Sequence, residues 1–266
     1  MLKINNKFNK YFPKKYPVFF IHTHPDDESF LSAGLINKII KNGNQCIIIY
    51  TSASKIAEIR KTKIRQQEAI NACKILGSPG VEFLNYCDFK YNDLKVATIL
   101  NKKSDIIERD MFSIINKYTE NKFILFIYDK NGGYGNIEHK KNYKIGMSFF
   151  SKNTDKILKL YLLTINRDVI KKWFKKNKSI LNKKDLPDLS YWSKKFGLTT
   201  KEIDYYYELD NHDIKRKKMA LIEHKTQIKK DEFPISLKPK DFTNIFGREY
   251  IKQVFEDKKI NLNPHK

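Results

Sequence analysis

The stretch FFIHTHPDDESF, residues 19–30, decides how this chain is read. Its apolar lead-in, 17–22, reads as a strand. From Ser29 onward, Phe30, Leu31, Leu35, Ile39 and Ile40 recur near one another at helical spacing, which predicts a helix over 29–41. Between the two stand His22, His24, Pro25 and three consecutive carboxylates, Asp26, Asp27 and Glu28. Adjacent carboxylates repel one another, so folding gains nothing from them unless a cation compensates. Helix capping explains part of the cluster: Asp26 or Asp27 caps the helix, and Glu28 sits in the first turn, where the helix dipole favours negative charge. Capping leaves His24 and Pro25 unexplained.

Outward from this stretch, strands and helices alternate. QCIIIYTS, 45–52, is a continuous apolar run of the kind found in strands buried on both faces. A helix over 58–76 is closed by Gly77 and followed at once by Pro79. VEFLN, 81–85, reads as a short strand, 105–118 as a helix, and KFILFIY, 122–128, as another buried strand. The loop DKNGGYGNIE comes next, then a helix from about His139 and a strand over 157–164. This alternation predicts an α/β fold with a Rossmann-like, mostly parallel sheet flanked by helices. Residues 1–266 are expected to form one domain, with 1–16 as an N-terminal extension and 168–266 completing the domain and the substrate site. In that last part, 203–207 reads as a strand, and 213–229 and 241–255 read as helices. HTHPDDE and GGYGNIEH both follow strands, and in parallel sheets ligands bind outside the carboxyl ends of the strands.

Composition narrows the class. With 41% hydrophobic residues and only 10 glycines and 8 prolines in 266 residues, the chain can build a sizeable core. The formal charge is +22, from 52 Lys+Arg against 30 Asp+Glu, which favours anionic partners. Most of the excess is scattered lysine, so it reads as compositional bias and no specific nucleic acid is expected. Clusters at 171–178, 183–184 and 215–218 sustain a basic nucleic-acid-binding protein as a remote alternative, but that alternative gives no reason for HPDDE. Cys46, Cys73 and Cys87 have neither knuckle nor CxxC spacing, and Cys46 opens an apolar run as a buried small hydrophobe would. No window approaches a membrane span and the N-terminus lacks a signal-peptide core, so a cytoplasmic protein is expected, with peripheral membrane contact left open.

A divalent metal answers the carboxylate cluster. His24 and Asp27 offer one nitrogen and one oxygen, and a distant His139 offers a second nitrogen. Two histidines and one carboxylate with a fourth position open form a common catalytic zinc set. Asp26, beside a ligand, would then take a proton from water. His-x-x-Asp is short and common, so spacing alone does not decide this.

HPDDE at the end of a first strand resembles the PIG-L/LmbE-like zinc-dependent N-deacetylases. RQQEAINACKILG resembles the family's Arg-xx-Glu-xxx-Ala-xxx-Leu-Gly helix through Arg65, Glu68, Ala72, Leu76 and Gly77. GGYGNIEH sits where the family has Gly-His-Pro-Asp-His, and KMALIEHKTQ resembles its late segment through Lys218, Leu221, His224 and Gln227. The segments fall in family order between 24 and 227. The resemblance implies removal of an N-acetyl group from a GlcNAc-type amino sugar by attack of zinc-activated water. It implies His24, Asp27 and His139 as metal ligands, with zinc expected and Fe²⁺ compatible with the same donors. Asp26 corresponds to the general base, Tyr134 to an oxyanion-stabilising hydroxyl, and Arg65 to a contact with substrate hydroxyls or phosphate.

One departure matters. Asn136 replaces the first histidine of the family's second motif, and Ile137-Glu138 replaces its Pro-Asp. Asn donates hydrogen bonds but delivers no proton at neutral pH. This motivates the alternative of a weak or inactive sugar- or metal-binding relative. Asp26 acting alone, or His22 or His224 standing in, would preserve turnover. Asn136, His224 and Asp88 are candidate substrate contacts, with a bare surface position as the other reading of His224. His22, Glu28 and Glu138 are candidates for supporting the ligands from behind. Tyr205–Tyr207, Trp173 and Trp192 read as core or rim, and His212 and His265 as surface residues. The charge suggests an anionic substrate, such as a lipid-, nucleotide- or phosphate-linked amino sugar.

Overall fold

The computed structural model describes residues 1–54, 59–78, 80–87, 97–177, 195–229 and 233–257. In chain order the elements are β1 (Leu2–Lys3), α1 (Phe8–Tyr11), β2 (Val18–His22), α2 (Asp27–Leu31), α3 (Ala33–Lys41), β3 (Cys46–Ser54), α4 (Ile59–Leu76), β4 (Gly80–Cys87), α5 (Ser104–Asn116) and β5 (Phe123–Tyr128). They continue with α6 (Ile137–Lys152), β6 (Ile157–Thr164), α7 (Arg167–Asn177), β7 (Tyr205–Glu208), α8 (Asn211–Glu223), α9 (Pro239–Phe246) and β8 (Arg248–Glu256). The strands form one eight-stranded sheet in the order β1-β7-β8-β6-β5-β2-β3-β4. Pairing is parallel from β6 to β4 and between β1 and β7, while β8 runs antiparallel to both of its neighbours. The expected mostly parallel α/β sheet is what forms.

The central strands are apolar on both faces because both faces are covered. In β2, Val18 and Phe20 enter one core while Phe19 and Ile21 enter the other. The first core is closed by α3 and α4, through Ile36, Ile39, Ala72 and Leu76; the second by α5 and α6, through Met111, Ile115, Ile145 and Phe149. Gly146 lets α6 lie close on β5, since a Cβ there would stand 2.8 Å from Ile127 Cγ2. The N-terminal segment joins this packing: β1 pairs with β7, and Phe12 is buried against Phe126 and Tyr161.

Three expected elements differ. The helix over 29–41 is two helices, because Ser32 breaks it: its hydroxyl bonds the Glu28 carbonyl at 3.2 Å, a local alternative to the helical ladder. The helix over 213–229 begins at Asn211 under an Asp210 capping box and ends at Glu223. The helix over 241–255 is corrected most: α9 stops at Phe246, Gly247 follows, and 248–256 is strand β8, inserted between β6 and β7. Phe242, Ile245, Phe246 and Tyr250 carry a helical spacing that Gly247 interrupts, and the second half of that pattern belongs to a strand.

The order places a switch point at the centre. β2, β3 and β4 step outward in one direction, and β5 and β6 lie on the other side of β2. A crevice opens where the direction reverses, beyond the carboxyl ends of β2 and β5. His24, Asp26 and Asp27 follow β2 directly, and the loop leading to His139 follows β5. No described helix is long and apolar enough to cross a membrane.

Candidate metal centre and active site

At the end of β2 the chain turns sharply. Asp26 adopts φ 116°, a value L-residues rarely take, and α2 starts at Asp27. The turn is tied by the Asp27 carboxylate, whose Oδ2 accepts the His24 N–H at 2.8 Å and the Tyr128 hydroxyl at 2.6 Å. Tyr128 ends β5, so this bond joins the two strands at the switch point. The facing loop is wound just as tightly. Gly132 has φ +66°, and a Cβ on it would stand 2.8 Å from Asn136 O, His139 Cβ and Lys140 N. Asn136 caps α6, its Oδ1 accepting the N–H groups of Glu138 at 2.7 Å and His139 at 3.3 Å.

These turns bring three donor atoms together. His24 Nδ1 lies 3.2 Å from His139 Nε2, His139 Nε2 lies 3.1 Å from Asp27 Oδ2, and His24 Nδ1 lies 3.7 Å from Asp27 Oδ2. With metal–ligand bonds of about 2.1 Å, a tetrahedral site has ligand–ligand edges of about 3.4 Å. The triangle matches one face of such a tetrahedron. The outward nitrogens fix the tautomers. His24 Nε2 lies 2.8 Å from Glu138 Oε2, and His139 Nδ1 lies 3.2 Å from the Gly132 carbonyl. Each ring therefore donates outward and turns a lone pair inward. All three residues are buried, and Asp27 Oδ1 has no hydrogen-bond partner. Burial opposes ionisation of Asp27, but His139 and His24 hold it below the ordinary carboxylate range. Two inward lone pairs and a buried carboxylate repel one another until a cation sits among them, so the donor set fits a divalent metal.

Beside the triangle lies a second charged cluster. Asp26 is half-buried, and burial together with the Asp27 charge raises its pKa to about 7, against the pull of His224, Arg65 and His24. Glu28 is buried and faces His224, with Oε1 2.7 Å from Nε2; it also accepts the Ser29 hydroxyl, and the Asp26 N–H at 3.0 Å. Burial works against the Glu28 carboxylate, but the His224 charge and hydrogen bonds from His224, Ser29 and Tyr50 together outweigh it and bring its pKa to about 2. Glu68, one turn on from the buried Arg65, accepts the N–H and hydroxyl of Thr226 at 3.0 and 2.6 Å. α4 and the segment after α8 are thereby fastened beside Asp26.

Residues 19–150 match the family model described as "PIG-L: GlcNAc-PI de-N-acetylase". Among solved structures, the chain is similar to N,N'-diacetylchitobiose deacetylase from Pyrococcus horikoshii, with TM-score 0.57 and 17% identity over 96% of this chain and 94% of that one. It is similar to the A40926 pseudoaglycone deacetylase, with TM-score 0.59 and 15% identity over 89% of this chain and 95% of that one. It is also similar to the zinc-inhibited form of a teicoplanin deacetylase, with TM-score 0.59 and 11% identity over 91% of this chain and 100% of that one. At these identities the likeness concerns the LmbE-like fold. No curated protein sequence gave a match.

Set beside the sequence expectations, the fold brings His24, Asp27 and His139 together and places Tyr134 at their edge, its hydroxyl 3.5 Å from His139 Nε2. Glu138, a candidate for supporting the ligands, bonds His24. Asn136 uses its carboxamide oxygen as a helix cap. His224 is buried behind Glu28, which excludes the bare surface position. His22 is buried against Ser32 at 3.0 Å, and burial lowers its pKa to about 4. Cys46, Cys73 and Cys87 are buried and unbridged. Asp88, Trp192 and His265 lie outside the described residues. Sequence reasoning missed Tyr128, which holds Asp27 and stacks on His139 with ring centroids 4.2 Å apart. Its signal was slight: a tyrosine with a polar tip closing an otherwise apolar strand.

Proposed function

We propose that this chain is a metal-dependent deacetylase that hydrolyses the N-acetyl group of an amino sugar. The PIG-L match and the fold shared with deacetylases support the reaction class. The observation that carries the reading is the buried His24–Asp27–His139 triangle with the Asp26 carboxylate beside it.

His24 through Nδ1, His139 through Nε2 and Asp27 would hold a divalent cation, zinc being the family expectation, which would supply Lewis acidity toward water and the acetamide carbonyl. Asp26 has a pKa of about 7, so it accepts a proton from water and can return one to the departing amine near neutral pH. A proton shuttle on Asp26 removes the need for an acid at Asn136, whose oxygen is engaged in capping. The Tyr134 hydroxyl lies 3.5 Å from His139 Nε2, in the lining of an adjoining chamber, and would donate to the carbonyl oxygen as it gains charge. Arg65 keeps a buried positive charge near Asp26 and so holds its pKa from rising further. Glu138 and the Gly132 carbonyl fix the two imidazoles.

Acetate release from a panel of N-acetylated amino sugars, with zinc supplied, tests this reading. Asp26→Asn should lower kcat by about 10²–10⁴-fold while leaving metal content unchanged, as loss of a proton-transfer group does. No acetate from any sugar, or full activity in Asp26→Asn, contradicts it. Asn136 is the observation behind the rival reading of an inactive relative. That reading gains if acetate appears only in Asn136→His.

A further inference from the structure

A cavity of about 360 Å³ reaches from Asp26 and Tyr134 to α7 and α9. That volume lies within the range of small-molecule sites. Phe30 on α2, Ile170 on α7, Ile228 after α8, Phe233, and Ile245 and Phe246 on α9 line it. Phe30, Phe233 and Phe246 form one aromatic wall, with Phe246 6.0 Å from Phe30 and 5.8 Å from Phe233 between ring centroids.

The polar groups at its edge are mostly engaged elsewhere. Glu249 pairs with Lys217 at 2.8 Å and accepts the N–H groups of Gly34 and Leu35 at 3.0 and 2.8 Å. Among the described lining residues Arg248 is the one cation, and it is held by Glu208 at 2.8 Å. Asn166 differs. It is buried, and its Oδ1 accepts from Asp168 N–H at 3.1 Å, Val169 N–H at 3.3 Å and the Thr200 hydroxyl at 3.2 Å, while its Nδ2 has no partner. A second sugar ring would bury several hydroxyls against carbon here, each at a cost of about 1–3 kcal/mol. Among the described lining residues an anionic group would meet one cation, Arg248, already paired with Glu208. An alkyl or aryl group fills the same walls favourably.

We propose that this chamber is an aglycone subsite: it takes an apolar alkyl or aryl group attached to the amino sugar, and Asn166 Nδ2 meets one acceptor oxygen near the linkage. The inference rests on the deacetylase reading and narrows it. It replaces the anionic substrate suggested by net charge with an amphiphilic one.

The test compares the methyl and hexyl glycosides of N-acetylglucosamine. Burying two to four methylenes at about 0.8 kcal/mol each predicts a preference for hexyl of about 15- to 200-fold in kcat/KM. Val169→Asp places a carboxylate in the chamber wall and should reduce that preference to about threefold or less. Phe246→Ala keeps the wall apolar but opens it, serves if the aspartate variant does not fold, and should lower hexyl turnover by about 5- to 10-fold. Equal turnover of the two glycosides by the parent chain, or a preference unchanged in both variants, overturns the subsite and leaves the deacetylase reading standing. If neither glycoside releases acetate, the sugar panel decides the deacetylase reading and calorimetry with the same glycosides decides the subsite. Hexyl binding at least tenfold tighter than methyl, and weakened in the variants, upholds it; equal binding overturns it.

Discussion

Glu138 offers the sharpest perturbation of the metal centre, because it touches the site only through His24. Its Oε2 lies 2.8 Å from His24 Nε2, and both side chains are buried, so the bond is shielded from water and salt. It performs two separable tasks. It holds the proton on Nε2, which leaves Nδ1 for a metal, and its negative charge makes the ring a stronger donor. Glu138→Gln keeps an acceptor at that point but removes the charge. Glu138→Ala removes both and frees the ring to rotate. Loss of such a partner costs about 10- to 100-fold in metal affinity, or about 1.4–2.7 kcal/mol. The structure therefore orders the variants, with Gln near the low end and Ala near the high end. Competition of zinc against a chromogenic chelator reads the affinity, and circular dichroism checks the fold. Affinities within twofold of the parent in both folded variants would refute the reasoning, since His24 would then not bind metal through Nδ1.

Three further outcomes follow from named contacts. Asp26→Gly relieves a backbone held at φ 116°, so thermal unfolding should show a gain of about 1 kcal/mol while acetate release is lost. Gly132→Ala should cost about 2 kcal/mol or more in denaturant unfolding, because the added Cβ meets three atoms of the Asn136–Lys140 turn at 2.8 Å. For His224, burial disfavours the imidazolium, but Glu28, and then Asp26 and Glu68, lift its pKa above the ordinary value of 6.5. The stability it contributes is complete below that ordinary value and disappears as pH rises through the higher folded-state value. His224→Gln should cost roughly 3 kcal/mol at pH 6, and the gap from the parent should narrow by pH 9 in urea unfolding.

The sheet's central strands were legible because burial on both faces leaves a plain record. VFFIH, CIIIY, FILFIY and ILKLYLLT are nearly uninterrupted apolar runs, and each is a buried strand. β8 was not legible. REYIKQVFE pairs with β6 on one side and β7 on the other, and its apolar residues continue the spacing of the helix before it. Only the sheet's closure by an antiparallel strand tells the two apart. The site divides the same way. His24, Asp26 and Asp27 lie in one loop and were visible as an unusual cluster. The Tyr128–Asp27 and His224–Glu28 bonds join residues 101 and 196 positions apart, and nothing local announces such pairings. The chamber was hidden for the same reason, since α2, α7 and α9 build it from distant segments.

Metal content of the protein purified without added metal, determined by plasma mass spectrometry alongside folded Asp27→Ala and His139→Ala variants, tests the central claim most directly. The account predicts one divalent ion per parent chain and a loss of that ion in both variants. A parent chain that takes up no divalent metal even when zinc is supplied, or variants that keep full occupancy, would contradict it.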